Sequence, residues 1–367
     1  MSNSQEDLFD VDSINVERAD VFRSLHKQDY PKLYKGVPTS YEVGSVMKDK
    51  NKRGKDNRWD LRKAQGTEIG DIMLALNVPA NKTQKFGMCA EVLLFAISSD
   101  DQKKLRNAWF CKDKLCPVCQ WRRSLKMGFY NRQIIKQIAF DDVKGKYIFL
   151  TLTVKNCKGE DLKSTIQMIL KGFDRMFRRA VFKKHVLGFI RSLEVTYNEQ
   201  TREFHPHLHV LMLMDESYWS FKKTNGKRKL EPYLNHSDFV DMWQQSCKLD
   251  YRPSVDVRAV KRRKGKGDTL EKVVLEVSKY AFKPIDIKNL DDYDKRYVIS
   301  SLIVGLNRVR QVGYGGIFKE ILNKMNADEE NLTLISNADD DDFVAKKFAF
   351  SAYSYKRKKY FWMNKKD

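Results

Sequence analysis

His207 and His209 stand two residues apart in HPHLHVL (205–211), with apolar residues between and after them. In a β-strand alternate side chains share a face, so both imidazoles would point to one side and could grip a single ion. Three of the six histidines in the chain fall at 205, 207 and 209, a clustering that histidines scattered through a core would not show. An H-x-H pair also serves metallohydrolases and cupins, so a third ligand is needed. Glu194 is the candidate, on the preceding strand across a short turn; its bland alternative is a surface charge on an edge strand. Two imidazoles and one carboxylate leave coordination positions open, and such a site suits Mg²⁺ or Mn²⁺ polarising a phosphate oxygen.

Residues 268–283 read as a helix behind an Asp268/Glu271 capping-box pattern. Leu270, Val274, Val277 and Ala281 form an apolar stripe, while Glu276, Tyr280 and Lys283 recur at i, i+4 and i+7 on a different face. A tyrosine hydroxyl can attack a phosphodiester from which a metal has drained charge, leaving an enzyme-linked 5′ phosphate and a free 3′ hydroxyl. Glu276, one turn earlier, could accept a proton from a second nucleophile such as water, and Lys283 could steady the phosphate. Without the histidine pair, Tyr280 would read as a half-buried helix tyrosine.

Cys111-x4-Cys116-x2-Cys119, with Cys89 upstream, offers four thiolates for a structural Zn²⁺; the alternative is reduced thiols, one of them in a core. A zinc deaminase is disfavoured, because Leu115 rather than proline precedes Cys116 and no H-x-E partner has the required layout.

The elements that must position these groups follow from periodicity. YIFLTLTV (147–154), LGFIRSLEVTYN (187–198), PHLHVLMLM (206–214) and PSVDVRAV (253–260) read as strands, the second and third joined by a polar turn. DLKSTIQMILKGFDRMF (161–177) and SDFVDMWQQSC (237–247, Ser237 as N-cap) read as helices. The order β-α-β-β-α-β is that of a ferredoxin-like α+β fold with an antiparallel sheet, which brings separated strands side by side. Two more helices are expected around 297–309 and 317–325, with YGG (314–316) between them. A basic stretch at 45–65, including Lys48, Arg58, Arg62 and Lys63, resembles a solvated arm, and Asp339–Asp342 a solvated loop. The expected division is a basic N-terminal region (1–85), a cysteine-containing segment (86–140), an α+β core (141–285) and a C-terminal helical region (286–367).

Composition sets the surroundings. Among 367 residues, 69 Lys and Arg against 48 Asp and Glu leave +21, a field that attracts polyphosphates without choosing among them. The acidic N-terminus has no apolar run, and nothing approaches the roughly 18 apolar residues of a membrane span, so a cytoplasmic protein with reduced thiols is expected.

Taken in order, WFCKDKLCPVCQWRRSLK (109–126), FLTLTVKN (149–156), GFIRSLEVT (188–196), HPHLHVL (205–211), EVSKYAFK (276–283) and YGG (314–316) resemble the plasmid rolling-circle replication initiators of the HUH endonuclease superfamily. The resemblance implies an RRM-like HUH core in which His207 and His209 hold the metal and Tyr280 nicks DNA, with Lys283 completing the tyrosine motif. It implies that Glu276 activates water for the terminating cleavage. Glu194 transfers more loosely as a metal ligand, and His205 is optional. The implied substrate is a plasmid double-strand origin, nicked where single-stranded or extruded as a hairpin, with host helicase and DNA polymerase as partners. A homodimer is among the arrangements it admits. The competing readings are a non-catalytic zinc-containing DNA-binding regulator, and a relaxase or transposase with the same chemistry.

Overall fold

The computed structural model describes residues 41–50, 54–224, 227–260, 270–278, 287–325 and 344–365. In chain order the first elements are β1 (Tyr41–Val46), α1 (Trp59–Ala75), α2 (Ala80–Met88), β2 (Val92–Ile97), β3 (Lys103–Ala108) and α3 (Pro117–Phe140). Next come β4 (Lys146–Thr153), α4 (Leu162–Phe177), α5 (Ala180–His185), β5 (Val186–Asn198) and β6 (Glu203–Met214). They are followed by β7 (Trp219–Thr224), β8 (Lys227–Pro232), α6 (His236–Cys247), β9 (Val255–Ala259) and α7 (Leu270–Ser278). The last are α8 (Asp292–Gly305), β10 (Val312–Gly316), α9 (Ile317–Lys324), β11 (Lys347–Ser354) and β12 (Lys359–Lys365). The result is a mixed α+β protein whose sheets are antiparallel. Among the described residues, no helix is long and apolar enough to cross a membrane.

The chain forms two compact units, one of residues up to Arg122 together with those from Thr333, the other Arg123–Leu332. In the first, the strands run in the order β1-β12-β11-β2-β3. The stretch 286–367 therefore holds strands as well as the helices expected there. KFAFSAYS and KYFWMNK are aromatic-rich and pair with β2 and β1, at least 250 residues away in sequence. The basic arm expected at 45–65 also needs correction. From Trp59 onward it is helix α1, and Lys63 is 1% exposed. Its ammonium donates to the carbonyl oxygens of Gly87 and Cys89, so a cation that looked solvated has buried partners. Asp339–Asp342 lie outside the described residues.

The second unit contains the sheet β10-β5-β6-β4-β9. Its strands β4, β5, β6 and β9, with α4 and α6, follow the β-α-β-β-α-β order read from periodicity. A two-stranded β7–β8 ribbon is inserted between β6 and α6. Strand β6 is buried at nearly every position, as a central strand covered on both faces must be. On one face α4 sets Phe173 against Phe189, their ring centroids 5.3 Å apart. On the other face, Phe149, Ile190 and Leu211 pack with Met127, Ile134 and Ile138 of α3 and with Val273, Val274 and Val277 of α7. The cap expected of Ser237 belongs instead to Asn235, whose side chain and that of Asp238 form a reciprocal capping box.

Candidate active site

Antiparallel register brings the metal-ligand candidates together. Glu194 on β5 lies directly opposite His207 on β6, and Ser192 opposite His209. On the other side of β6, Thr153 and Thr151 of β4 face the same two histidines. Directly opposed residues share a sheet face, so the three side chains converge. Glu194, His207 and His209 present ligand atoms that all lie within 4.8 Å of one another. Glu194 Oε2 is 3.2 Å from His209 Nε2 and 3.8 Å from His207 Nε2. Since β5 is flanked by β10 and β6, Glu194 is not on an edge strand, and it is only 3% exposed.

The His207 tautomer follows from its remaining contact. His207 Nδ1 lies 3.0 Å from the backbone oxygen of His205, which can only accept, so Nδ1 carries the proton and the lone pair is on Nε2. His209 Nδ1 meets Thr151 Oγ1 at 3.2 Å, which leaves its Nε2 for the Glu194 side. Burial, reinforced by the neighbouring His209 ring, pushes the His207 pKa down to about 4, so this imidazole is neutral at physiological pH. Phe149 stacks on His209 with centroids 5.6 Å apart and planes 9° from parallel, closing one side of the site with an apolar wall. Two imidazoles and a buried carboxylate are a donor set that fits a divalent ion.

Helix α7 packs over β5 and β6 on the face that carries the histidines, because Phe149, Ile190 and Leu211 share their parity along the strands. Two buried polar residues hold its last turn. Asn131 of α3, fully buried, donates from Nδ2 to Ser278 Oγ at 2.8 Å and accepts from the Tyr314 hydroxyl at 2.7 Å. The Ser278 hydroxyl in turn donates to the Val274 carbonyl. Tyr314 belongs to the YGG motif, so the motif has a place here, whereas Asn131 had no signal in the sequence. Tyr280 and Lys283 lie outside the described residues, as does the side chain of Glu276 on α7.

The cysteines form a second cluster, within the first unit. Cys89 follows α2, Cys111 follows β3, and Cys116 and Cys119 flank the start of α3. Their sulfurs approach to 3.5 Å (Cys89–Cys119 and Cys116–Cys89) and 3.6 Å (Cys111–Cys119). A tetrahedron with Zn–S of about 2.3 Å has edges of about 3.8 Å, so the thiols already stand close to the spacing zinc requires. Ala90 (φ 55°) and Lys112 (φ 57°) turn the chain in the left-handed region just after Cys89 and Cys111, a local cost that tight ligand loops accept. Burial opposes ionisation of Cys89. Hydrogen bonds from the other three cysteines outweigh it and hold that thiol well below its ordinary pKa, while burial pushes Cys111 and Cys119 well above theirs. Lys63 lies against the same cluster through the Cys89 carbonyl, at 2.9 Å.

The sequence matches the family described as Replication protein over residues 102–361. It is 40% identical to a protein named Protein rep from Streptococcus pneumoniae serotype 2 (strain D39 / NCTC 7466), over 87% of this chain and 96% of that protein. Two other proteins of that name, from Lactiplantibacillus plantarum and Bacillus amyloliquefaciens, are 35% and 36% identical over 82% and 85% of this chain and 92% and 94% of their own lengths. No solved structure matches the chain.

Proposed function

The chain belongs to the Replication protein family, and from that premise we propose that it initiates rolling-circle replication of a plasmid as an HUH-type nickase. In this reading it binds the double-strand origin, cuts one strand with Tyr280 and keeps the 5′ end as a phosphotyrosine, leaving a 3′ hydroxyl for host DNA polymerase behind a host helicase. The observation that carries the reading is the convergence of Glu194, His207 and His209 on the sheet face against which α7 packs. Mn²⁺ or Mg²⁺ bound there would withdraw charge from a phosphate oxygen. The chain supplies the rest: a backbone carbonyl that fixes the His207 tautomer, a hydroxyl that orients His209, a tyrosine two residues past Ser278 in sequence, and Lys283 to steady the phosphate.

The test uses labelled origin DNA from the replicon that encodes the chain, with Mn²⁺ present. Cleavage at one position, with mass spectrometry locating the attached nucleotide on Tyr280, is the expected result. Shifted but uncut DNA would assign the chain to the regulator class instead. Glu276 has a separable task in this reading, accepting a proton from water at termination. The Glu276→Ala variant is expected to open the origin at the normal rate but to lose release of finished circles at least tenfold. Normal termination, followed by the yield of closed single-stranded circles, would remove that role.

The four cysteines are proposed to hold a structural Zn²⁺, with Lys63 offsetting part of the −2 charge of a tetrathiolate site. Surrounding groups of this kind commonly change metal affinity by about 10- to 100-fold. Lys63→Met is therefore expected to release zinc to a chromogenic chelator at least tenfold faster than the parent, with Lys63→Arg intermediate. Equal release rates would deny Lys63 this part, and an absence of zinc from the purified parent protein would remove the site.

A further inference from the structure

The β7–β8 ribbon has no task in the chemistry proposed above. It is a two-stranded sheet separate from both five-stranded sheets. Among the described residues, neither strand makes an extensive contact with another named element. Its composition changes along its length. At the base Trp219 pairs with Pro232 and Phe221 with Leu230, whereas farther out Lys222 pairs with Lys229, Lys223 with Arg228 and Thr224 with Lys227. Five of those six outer positions are cationic. A strand with one face against a core alternates apolar with polar residues, and this half does not. Lysines on an exposed edge can discourage aggregation, but cations opposite one another on paired strands work against the pairing itself. An anion lying along the ribbon would offset that repulsion.

The base is well anchored. Tyr218 is 1% exposed, and its backbone oxygen accepts from Tyr233 N at 2.8 Å. The short turn before β7 is capped by Asp215, which accepts from Tyr218 N at 3.1 Å and from Ser217 Oγ at 2.7 Å. The Lys146 ammonium lies 5.0 Å from the centre of the Trp219 ring. A firm base with a cationic outer half is an arm.

We propose that the β7–β8 ribbon is a DNA-binding arm that grips the phosphates of duplex DNA beside the nick site. Two antiparallel strands about 5 Å apart are narrow enough to enter a major groove about 12 Å wide. Lys223 follows His209 by 14 residues. That length of chain spans at most about 50 Å, or roughly 15 base pairs. The arm can therefore reach only duplex close to the strand being cut. The proposal rests on the DNA-nicking reading, so its test separates the two.

The experiment compares the full chain with a variant carrying Lys222→Ala, Lys223→Ala, Arg228→Ala and Lys229→Ala together. A second variant keeps the charges through Lys222→Arg, Lys223→Arg, Arg228→Lys and Lys229→Arg. Binding to a mixed-sequence duplex of roughly 30 base pairs, long enough to cover that reach, is followed by fluorescence anisotropy across a salt series. Each lost phosphate contact lowers the slope of log affinity against log salt by about 0.9, so the alanine variant should be shallower by up to about 3.6 and 10- to 1000-fold weaker. The charge-keeping variant should match the parent, and all three should cut a single-stranded oligonucleotide carrying the mapped nick site at equal rates. An unchanged slope in the alanine variant would overturn the arm, and so would an equal loss in the charge-keeping one. A parent chain that neither binds duplex nor cuts the oligonucleotide would sink the nickase reading rather than the arm alone.

Discussion

Tyr280→Phe is expected to bind origin DNA as the parent does and to form no covalent adduct with it. The substitution removes one oxygen and keeps the ring. Any packing the ring provides survives, while the atom that would attack phosphorus is gone. With no nucleophile in place, strand cleavage should fall by at least about 10³-fold. The decisive comparison is denaturing electrophoresis of labelled origin DNA, where the parent gives a protein-linked band and the variant gives none, beside an anisotropy titration that shows equal affinity. An adduct that persists in Tyr280→Phe would move the nucleophile to another residue. Simultaneous loss of binding and cleavage would give the phenol a place in DNA recognition instead.

Which parts of this picture were legible in the sequence follows from how local each signal is. The H-x-H spacing needs only the two-residue repeat of a strand, and the helical stripe of α7 needs only a 3.6-residue repeat; Val274 and Val277 of that stripe are buried in the core. Glu194 was reachable because a hairpin joins its strand to the histidines, although the register that sets it opposite His207 is a tertiary property. Contacts that close over long stretches of chain left no trace. The pairing of β11 and β12 with the first sheet is one case. The Asn131–Ser278 bond, across 147 residues, is another. Lys63 was misread for a related reason, since a charge in a basic run looks solvated until the carbonyls that receive it are known. The choice of Asn235 over Ser237 as a cap shows a smaller ambiguity, in which two good capping residues stand two positions apart and the reciprocal partner at Asp238 decides between them.

The metal reading makes its largest claim at Glu194, and the claim can be isolated from folding. Glu194→Gln preserves size and can still hydrogen-bond to His209, but it removes the negative charge that a cation held by the two imidazoles would need. Nicking in Mn²⁺ should therefore fall by about 10²- to 10³-fold, the size of effect expected when several kcal/mol of charge stabilisation at phosphorus is lost. A second readout does not depend on activity. A ligand that binds only the folded protein stabilises it by about 2.7 kcal/mol at a hundred times its dissociation constant, so Mn²⁺ should raise the melting temperature of the parent by several degrees. The Glu194→Gln variant should melt near the parent without metal, because the buried carboxylate it replaces sits at 3% exposure and gains little from water. It should show almost none of the Mn²⁺-dependent rise. If Mn²⁺ stabilised the variant as strongly as the parent, the ion would not be bound through this carboxylate, and the convergence of Glu194 with His207 and His209 would be a buried hydrogen-bonding cluster of the sheet.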